Sequence, residues 1–109
     1  FDCRFLKNPY WDPQLRDQNG KNHPVQAHVQ SDPRAADFEA KVHDMVLWLL
    51  PAYLQEGKSH LSVAFGCTGG QHRSVAIAES LTAALAQAGW QVSIRHRELD
   101  RKKREEAST

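Results

Sequence analysis

The sequence predicts an α/β domain: a small parallel, or mostly parallel, sheet with flanking helices and a phosphate-binding loop after a central strand. Short apolar or alternating runs at residues 1–6, 61–65 and 91–95 have the length and pattern of strands. Two runs with helical apolar spacing separate them. This alternating order favours parallel strands joined by right-handed crossovers.

The first predicted strand, Phe1–Leu6, alternates apolar and polar side chains, so Asp2 and Arg4 share its polar face. The loop after it holds Asn8 and Tyr10 among two prolines, which stiffen the chain. Ligands of parallel sheets lie beyond the carboxyl ends of the strands. We therefore expect this loop and the turn after the central strand to line one pocket.

The first long helix is predicted from Pro33 to about Leu50. Asp32 supplies an N-cap, and Pro33 suits the first helical position. Apolar residues then recur every three or four positions. Pro51 is expected to end or bend the helix, and residues 25–30 are interpreted as a short turn or helix.

The central stretch contains a strand, a glycine-rich turn and a second helix. Residues 61–65 are mostly apolar, and three glycines follow between residues 66 and 70. Glycine lacks a Cβ, so it permits positive φ and close approach to a ligand. A helix buried over much of its circumference is predicted from Arg73 to Ala88, where Gly89 stops it.

Hydrogen-bond donors are concentrated at the start of this second helix. A helix N-terminus presents free N–H groups and partial positive charge, which favour an anion. Hydroxyl, amide, imidazole and guanidinium side chains add further donors. The sequence therefore predicts a phosphate site formed by Thr68, Gly69, Gly70, Gln71, His72, Arg73 and Ser74.

The chain's 109 residues and net charge of +1 indicate one domain without general affinity for polyanions. Positive charge is concentrated near the C-terminal end, where residues 98–109 are predicted to form a basic, mixed-charge tail after a domain of residues 1–97. This tail is either solvated or in contact with an RNA backbone. The candidate RNA-binding residues are Arg95, Arg97, Arg101, Lys102, Lys103 and Arg104.

Neither a membrane span nor a leader is evident in the sequence, so we expect a cytoplasmic protein with no membrane partner. Cys3 and Cys67 suggest neither a disulfide framework nor a metal site, and Cys3 is interpreted as a buried apolar residue. The single methionine, Met45, lies mid-chain. We therefore expect the chain to be part of a longer protein.

An enzymatic alternative uses the same turn. Cys67, five intervening residues, Arg73 and Ser74 fit the signature of cysteine-dependent phosphatases, in which a thiolate attacks phosphorus. A helix N-terminus and a nearby arginine would lower the pKa of the thiol. Asp12 is the candidate general acid. In this alternative Cys67, Arg73 and Asp12 are catalytic, whereas a binding domain needs no catalytic residue.

Two longer motifs carry a family resemblance. Residues 5–16 read FLKNPYWDPQLR and residues 65–75 read FGCTGGQHRSV. Both resemble the C-terminal domain of RapZ, the RNase adapter protein of the YvcJ-type nucleotide-binding family. The resemblance implies a non-enzymatic domain that binds glucosamine-6-phosphate and a small regulatory RNA, in control of amino-sugar synthesis.

The resemblance also implies further partners: an endoribonuclease, two-component regulators and further copies of the same chain. It implies that a domain that binds ATP or GTP lies upstream. It implies no cofactor for the present domain. Carried over position by position, it assigns the phosphate to the glycine turn and the sugar to Asp2, Arg4, Asn8 and Tyr10.

Overall fold

The computed structural model describes residues 1–108, which fold around four α-helices. The helices are α1 (His23–Gln30), α2 (Pro33–Gln55), α3 (Arg73–Gln87) and α4 (Arg97–Ala107). Short 3-10 turns occur at Pro9–Trp11 and Thr68–Gly70. Helices α1, α2 and α3 pack on one another, and α4 contacts the second 3-10 turn.

The predicted start of α2 is confirmed. The Asp32 carboxylate accepts the N–H of Arg34 at 3.0 Å, and Pro33 follows it in the first turn. The helix does not end at Pro51 but continues to Gln55. Proline removes only one backbone donor there, and Leu50 still packs against the α2–α3 core.

The core lies between these helices and consists of two clusters. One surrounds the buried Cys3 and the other joins α2 to α3. Phe1, Phe5 and Phe65 contact the ring of Phe38 at the edge of this core. The buried members are Cys3, Leu6, Val29, Ala35, Ala76 and Ile77 in the first cluster, and Val42, Val46, Leu81 and Leu85 in the second.

The predicted parallel sheet with flanking helices is wrong for residues 1–108. The only β pairing among them is one parallel bridge between Asp2 and Gly66. In this bridge Cys3 N–H donates to the Gly66 carbonyl at 2.7 Å, and Gly66 N–H donates to the Phe1 carbonyl at 2.8 Å. Residues 61–65 and 91–95 are free of helix, turn and bend, but they form no ladder.

The reason is that a strand depends on its neighbours. Alternating apolar residues favour an extended chain, but stability comes from ladder hydrogen bonds and cross-strand pairs. Only the first residues of the chain lie beside residues 64–66, and Val92 and Ile94 remain more than a third exposed.

Among residues 1–108, no helix is both long enough and apolar enough to cross a bilayer.

Candidate anion-binding turn

The glycine-rich turn connects the Asp2–Gly66 bridge to the N-terminus of α3. Its backbone has positive φ at Gly69 (80°) and Gly70 (65°), a conformation that strains residues with a side chain. Helix α3 then begins at Arg73, as predicted. The turn therefore lies where the free N–H groups and positive dipole end of a 15-residue helix favour negative charge.

The thiol of Cys67 occupies the centre of this turn. Its Sγ lies 3.1 Å from the Ser74 hydroxyl and accepts the Ser74 N–H at 3.4 Å. Burial acts to raise the pKa of Cys67, but the hydrogen bonds from Ser74, with those from the backbone N–H groups of His72 and Gly70, outweigh it and lower the pKa. Several donors of the turn thus converge on sulfur.

Arg73 directs its guanidinium away from the turn. The residue is only 5% exposed, and its Nη1 donates to the carbonyls of Arg4 at 2.6 Å and Leu6 at 3.2 Å. Its Nε is buried without a hydrogen-bond partner among the described residues. Arg73 therefore joins the first segment of the chain to α3, with one buried donor left over.

His72 and Gln71 hold the loop of residues 16–22 against the start of α3. The His72 ring donates from Nε2 to the Arg16 carbonyl at 3.0 Å, which places a proton on that nitrogen. The Gln71 carbonyl accepts the N–H of Gly20 at 2.8 Å.

Of the seven predicted phosphate ligands, Thr68 and Gly69 are exposed, whereas His72, Arg73 and Ser74 are buried.

A surface cavity of about 420 Å³ opens beside the turn. It brings two predicted sugar-binding residues, Asp2 and Arg4, together with Thr68. The Asp2 carboxylate accepts two hydrogen bonds from Arg4 Nε, at 3.0 and 2.9 Å, and one from Nη2 at 2.7 Å. This pairing lowers the pKa of Asp2 to about 2. The lining residues are Phe1, Asp2, Arg4, Gly66, Cys67 and Thr68.

The other two predicted sugar-binding residues lie outside this cavity lining. Asn8 caps the first 3-10 turn, where its Oδ1 accepts the N–H of Tyr10 at 3.1 Å. The ring of Tyr10 packs under the guanidinium of Arg16, whose Cζ is 4.9 Å from the ring centroid. Asp12, the candidate general acid, is also absent from that lining and accepts the N–H of Gln14.

Two residues near the turn had no role in the sequence-based prediction. Gly20 packs so tightly that an added Cβ would lie 2.4 Å from the Ala76 nitrogen. Glu98, in the first turn of α4, packs on Gly70, where an added Cβ would meet Glu98 Cγ at 2.6 Å. A glycine in a polar loop and a glutamate in a mixed-charge tail carry no local signal of these long-range contacts.

The candidate RNA-binding residues lie on or just before α4, which the sequence treated as a tail. Arg95 is exposed, as are the basic side chains of the helix itself. Arg101 is already paired, with Nε 2.8 Å from Glu98 and Nη1 2.5 Å from Glu105. The positive charge of α4 is therefore partly neutralised within the helix.

These features define a small, mainly helical domain with a glycine-rich turn at a helix N-terminus. The sequence profile described as the RapZ C-terminal domain matches residues 1–100. The chain therefore belongs to the RapZ C-terminal domain family.

Among curated relatives, the chain is 62% identical over 102 residues to a nucleotide-binding protein of Cereibacter sphaeroides, covering 94% of this chain and 34% of that protein. It is 61% identical over 106 residues to one of Roseobacter denitrificans, covering 97% and 36%. It is 58% identical over 103 residues to one of Ruegeria pomeroyi, covering 94% and 36%. The chain thus spans about a third of the length of these relatives.

Proposed function

We propose that this domain is a non-enzymatic metabolite sensor that binds glucosamine-6-phosphate beside the glycine-rich turn. The proposal depends on one observation: the cavity that places Asp2 and Arg4 next to Thr68 at the N-terminal side of α3. The carboxylate suits the amino and hydroxyl groups of the sugar. Thr68 and the start of α3 suit the phosphate.

Arg4 is the side chain best suited to close on a phosphate. Its Nε and Nη2 bind Asp2, and its Nη1 has no hydrogen bond among the described residues. Because the Arg4 side chain is two-thirds exposed, a ligand phosphate can accept from Nη1 without removing Arg4 from Asp2. Arg73 is less suited to bind the phosphate, because its Nη1 already donates to two carbonyls and its unpaired Nε is buried.

Calorimetric titration of the full-length protein with glucosamine-6-phosphate, glucosamine and inorganic phosphate tests the proposal. We expect the phosphorylated sugar to bind most tightly. Arg4→Ala should raise its Kd by about tenfold or more, because a charge-assisted hydrogen bond is removed. Arg104→Ala, an exposed arginine on α4, is the matched control. Equal affinity for glucosamine and its phosphate would refute the site.

In the cell, the proposed role is RapZ-type regulation in the cytoplasm. The domain would contact a small regulatory RNA through the basic residues of α4 and present it to an endoribonuclease. Oligomers of the full-length protein would combine several weak basic surfaces, which increases avidity. Binding of ATP or GTP would belong to the remaining length of the protein, in keeping with the name of the relatives as nucleotide-binding proteins.

Phosphatase activity is a second candidate, because the Cys67 thiol has the lowered pKa and the Ser74 contact that favour a thiolate. Two observations argue against it: Arg73 binds backbone carbonyls instead of pointing into the cavity, and Asp12 does not line the cavity that contains Cys67. We expect no phosphate release from a chromogenic phosphate ester or from glucosamine-6-phosphate. Release that Cys67→Ser abolishes would establish the enzyme instead.

A further inference from the structure

A groove of about 1160 Å³ runs along α3 between two extended segments of the chain. One wall is formed by residues 58–67 and the other by residues 90–97. Its floor includes Ala78, Leu81 and Leu85 of α3. Its volume exceeds the usual range of about 300–1,000 Å³ for small-molecule pockets.

Both walls present backbone groups without partners. On the first wall, Ala64 and Gly66 bind the chain start through the Ala64 carbonyl and both backbone groups of Gly66. Because successive residues of an extended chain point their backbone groups to opposite edges, Val63 and Phe65 direct theirs to the other edge. Neither residue has a backbone hydrogen bond within residues 1–108.

The second wall is open in the same way. Residues 91–95 run without turn or bend, and within residues 1–108 none of their N–H or C=O groups has a hydrogen-bond partner. Val92 and Ile94 are exposed at 36% and 37%. Two extended segments with unpaired backbone groups therefore flank a groove whose floor is apolar. Each segment exposes N–H and C=O groups that a neighbouring extended chain can pair.

We infer that the groove is filled by an extended segment of the same polypeptide that precedes Phe1. An extended chain offers N–H and C=O groups to both walls at once, whereas its alternate side chains face the apolar floor. The relatives are about three times as long as the matched stretch. The matching family is a C-terminal domain, so the additional length of its members lies on the N-terminal side.

The occupant should have apolar side chains at alternate positions over about five or six residues, the usual length of a strand. Its connection to Phe1 must cross residues 61–66, because Phe1 lies along their far edge. Such a crossing needs about a dozen residues or more. A second copy of the chain or an unrelated peptide would lack this covalent connection.

Cross-linking in the full-length protein identifies the occupant. A benzophenone amino acid in place of Val92, on the second wall, should give on irradiation a cross-link that mass spectrometry maps to residues before Phe1 of the same polypeptide. The yield should be unchanged over a hundredfold dilution. A cross-link to another copy, a cross-link to residues after Thr109, or no protein cross-link would overturn the inference.

Amide hydrogen exchange of the full-length protein gives an independent measurement. Val63, Phe65 and at least two amides of residues 91–95 should exchange at least about tenfold more slowly than those of Ser59 and His60, which are exposed and have no backbone hydrogen bond within residues 1–108. Ala78→Arg should fill the groove and abolish this protection, whereas Ala83→Arg, on the exposed face of α3, should leave it intact. Exchange of Val63, Phe65 and residues 91–95 at the rate of Ser59 in the unmodified protein would refute the inference even if Ala78→Arg fails to fold.

Discussion

Arg73 lies at the start of α3, within the predicted phosphate site, and its guanidinium binds backbone groups. Its Nη1 donates to the carbonyls of Arg4 and Leu6. Those carbonyls belong to the segment that also carries Asp2. Arg73 therefore holds the segment that carries Asp2 against α3, and its buried Nε has no hydrogen-bond partner among the described residues.

At the residue scale, Gly20 gives the sharpest steric prediction. A Cβ there would lie 2.4 Å from the Ala76 nitrogen and 2.5 Å from the His72 carbonyl, both on the backbone at the start of α3. We expect Gly20→Ala to destabilise the protein by about 1–3 kcal/mol, as measured by urea unfolding. At Gly66 an added Cβ would meet open space, so Gly66→Ala should cost much less. Equal destabilisation by the two changes would contradict this packing.

At the scale of the element, α2 depends on the carboxylate that begins it. The Asp32 carboxylate accepts hydrogen bonds from the Arg34 guanidinium and backbone N–H, and also from Lys7 N–H. The Arg34 side chain, its N–H and that of Lys7 hold the pKa of Asp32 well below its ordinary value. One side chain therefore caps the helix and ties the first segment to it.

This lowered pKa predicts a pH dependence. A carboxyl group whose pKa is lower in the folded state stabilises the fold fully above its unfolded pKa, near 4, and loses this contribution as pH falls below it. Asp32→Asn should therefore lower Tm at pH 7, and the deficit should shrink progressively between pH 4 and pH 2. Asp37→Asn, on the same helix but exposed, is the control. A deficit independent of pH would exclude the charge as its cause.

Helix α4 is joined to the rest of the molecule at its start. The ring of His96 lies 3.0 Å from the Glu79 carboxylate of α3, and Glu98 packs on Gly70 of the turn. The second of these contacts lies at the glycine-rich turn. The Gly70–Glu98 contact therefore joins the turn directly to the first turn of α4.

At the scale of the whole molecule, a net charge of +1 requires RNA affinity to come from a local patch. We expect Lys102, Lys103 and Arg104 changed together to glutamine to weaken RNA binding by the full-length protein. The slope of log K against log salt should fall by about 0.7–0.9 for each phosphate that the variant no longer neutralises. Fluorescence anisotropy over a salt series measures both quantities.

The matched control is Arg101→Gln. Its guanidinium already binds Glu98 and Glu105, so removing it should change the salt slope less than removing a basic side chain that faces solvent. An unchanged slope in the triple variant would assign α4 a structural role and remove RNA binding from this helix.

The sequence by itself determined what is encoded locally. Three features involve only residues close together in the sequence: the N-cap at Asp32, the apolar spacing of α2 and α3, and the glycines before Arg73. Their structural effects could therefore be predicted from the sequence alone. The two family motifs, residues 5–16 and 65–75, are likewise continuous in the sequence, and the family match confirmed the resemblance.

Only the tertiary structure decided the contacts made over long sequence separations. The inward direction of Arg73, the packing of Gly20 and Glu98 on the turn, and the separation of Asp2 and Arg4 from Asn8 and Tyr10 follow from which segments meet. The predicted sheet failed for the same reason. An alternating pattern specifies an extended chain, but a ladder exists only where a neighbouring backbone supplies its hydrogen bonds, and residues 91–95 have no such neighbour among residues 1–108.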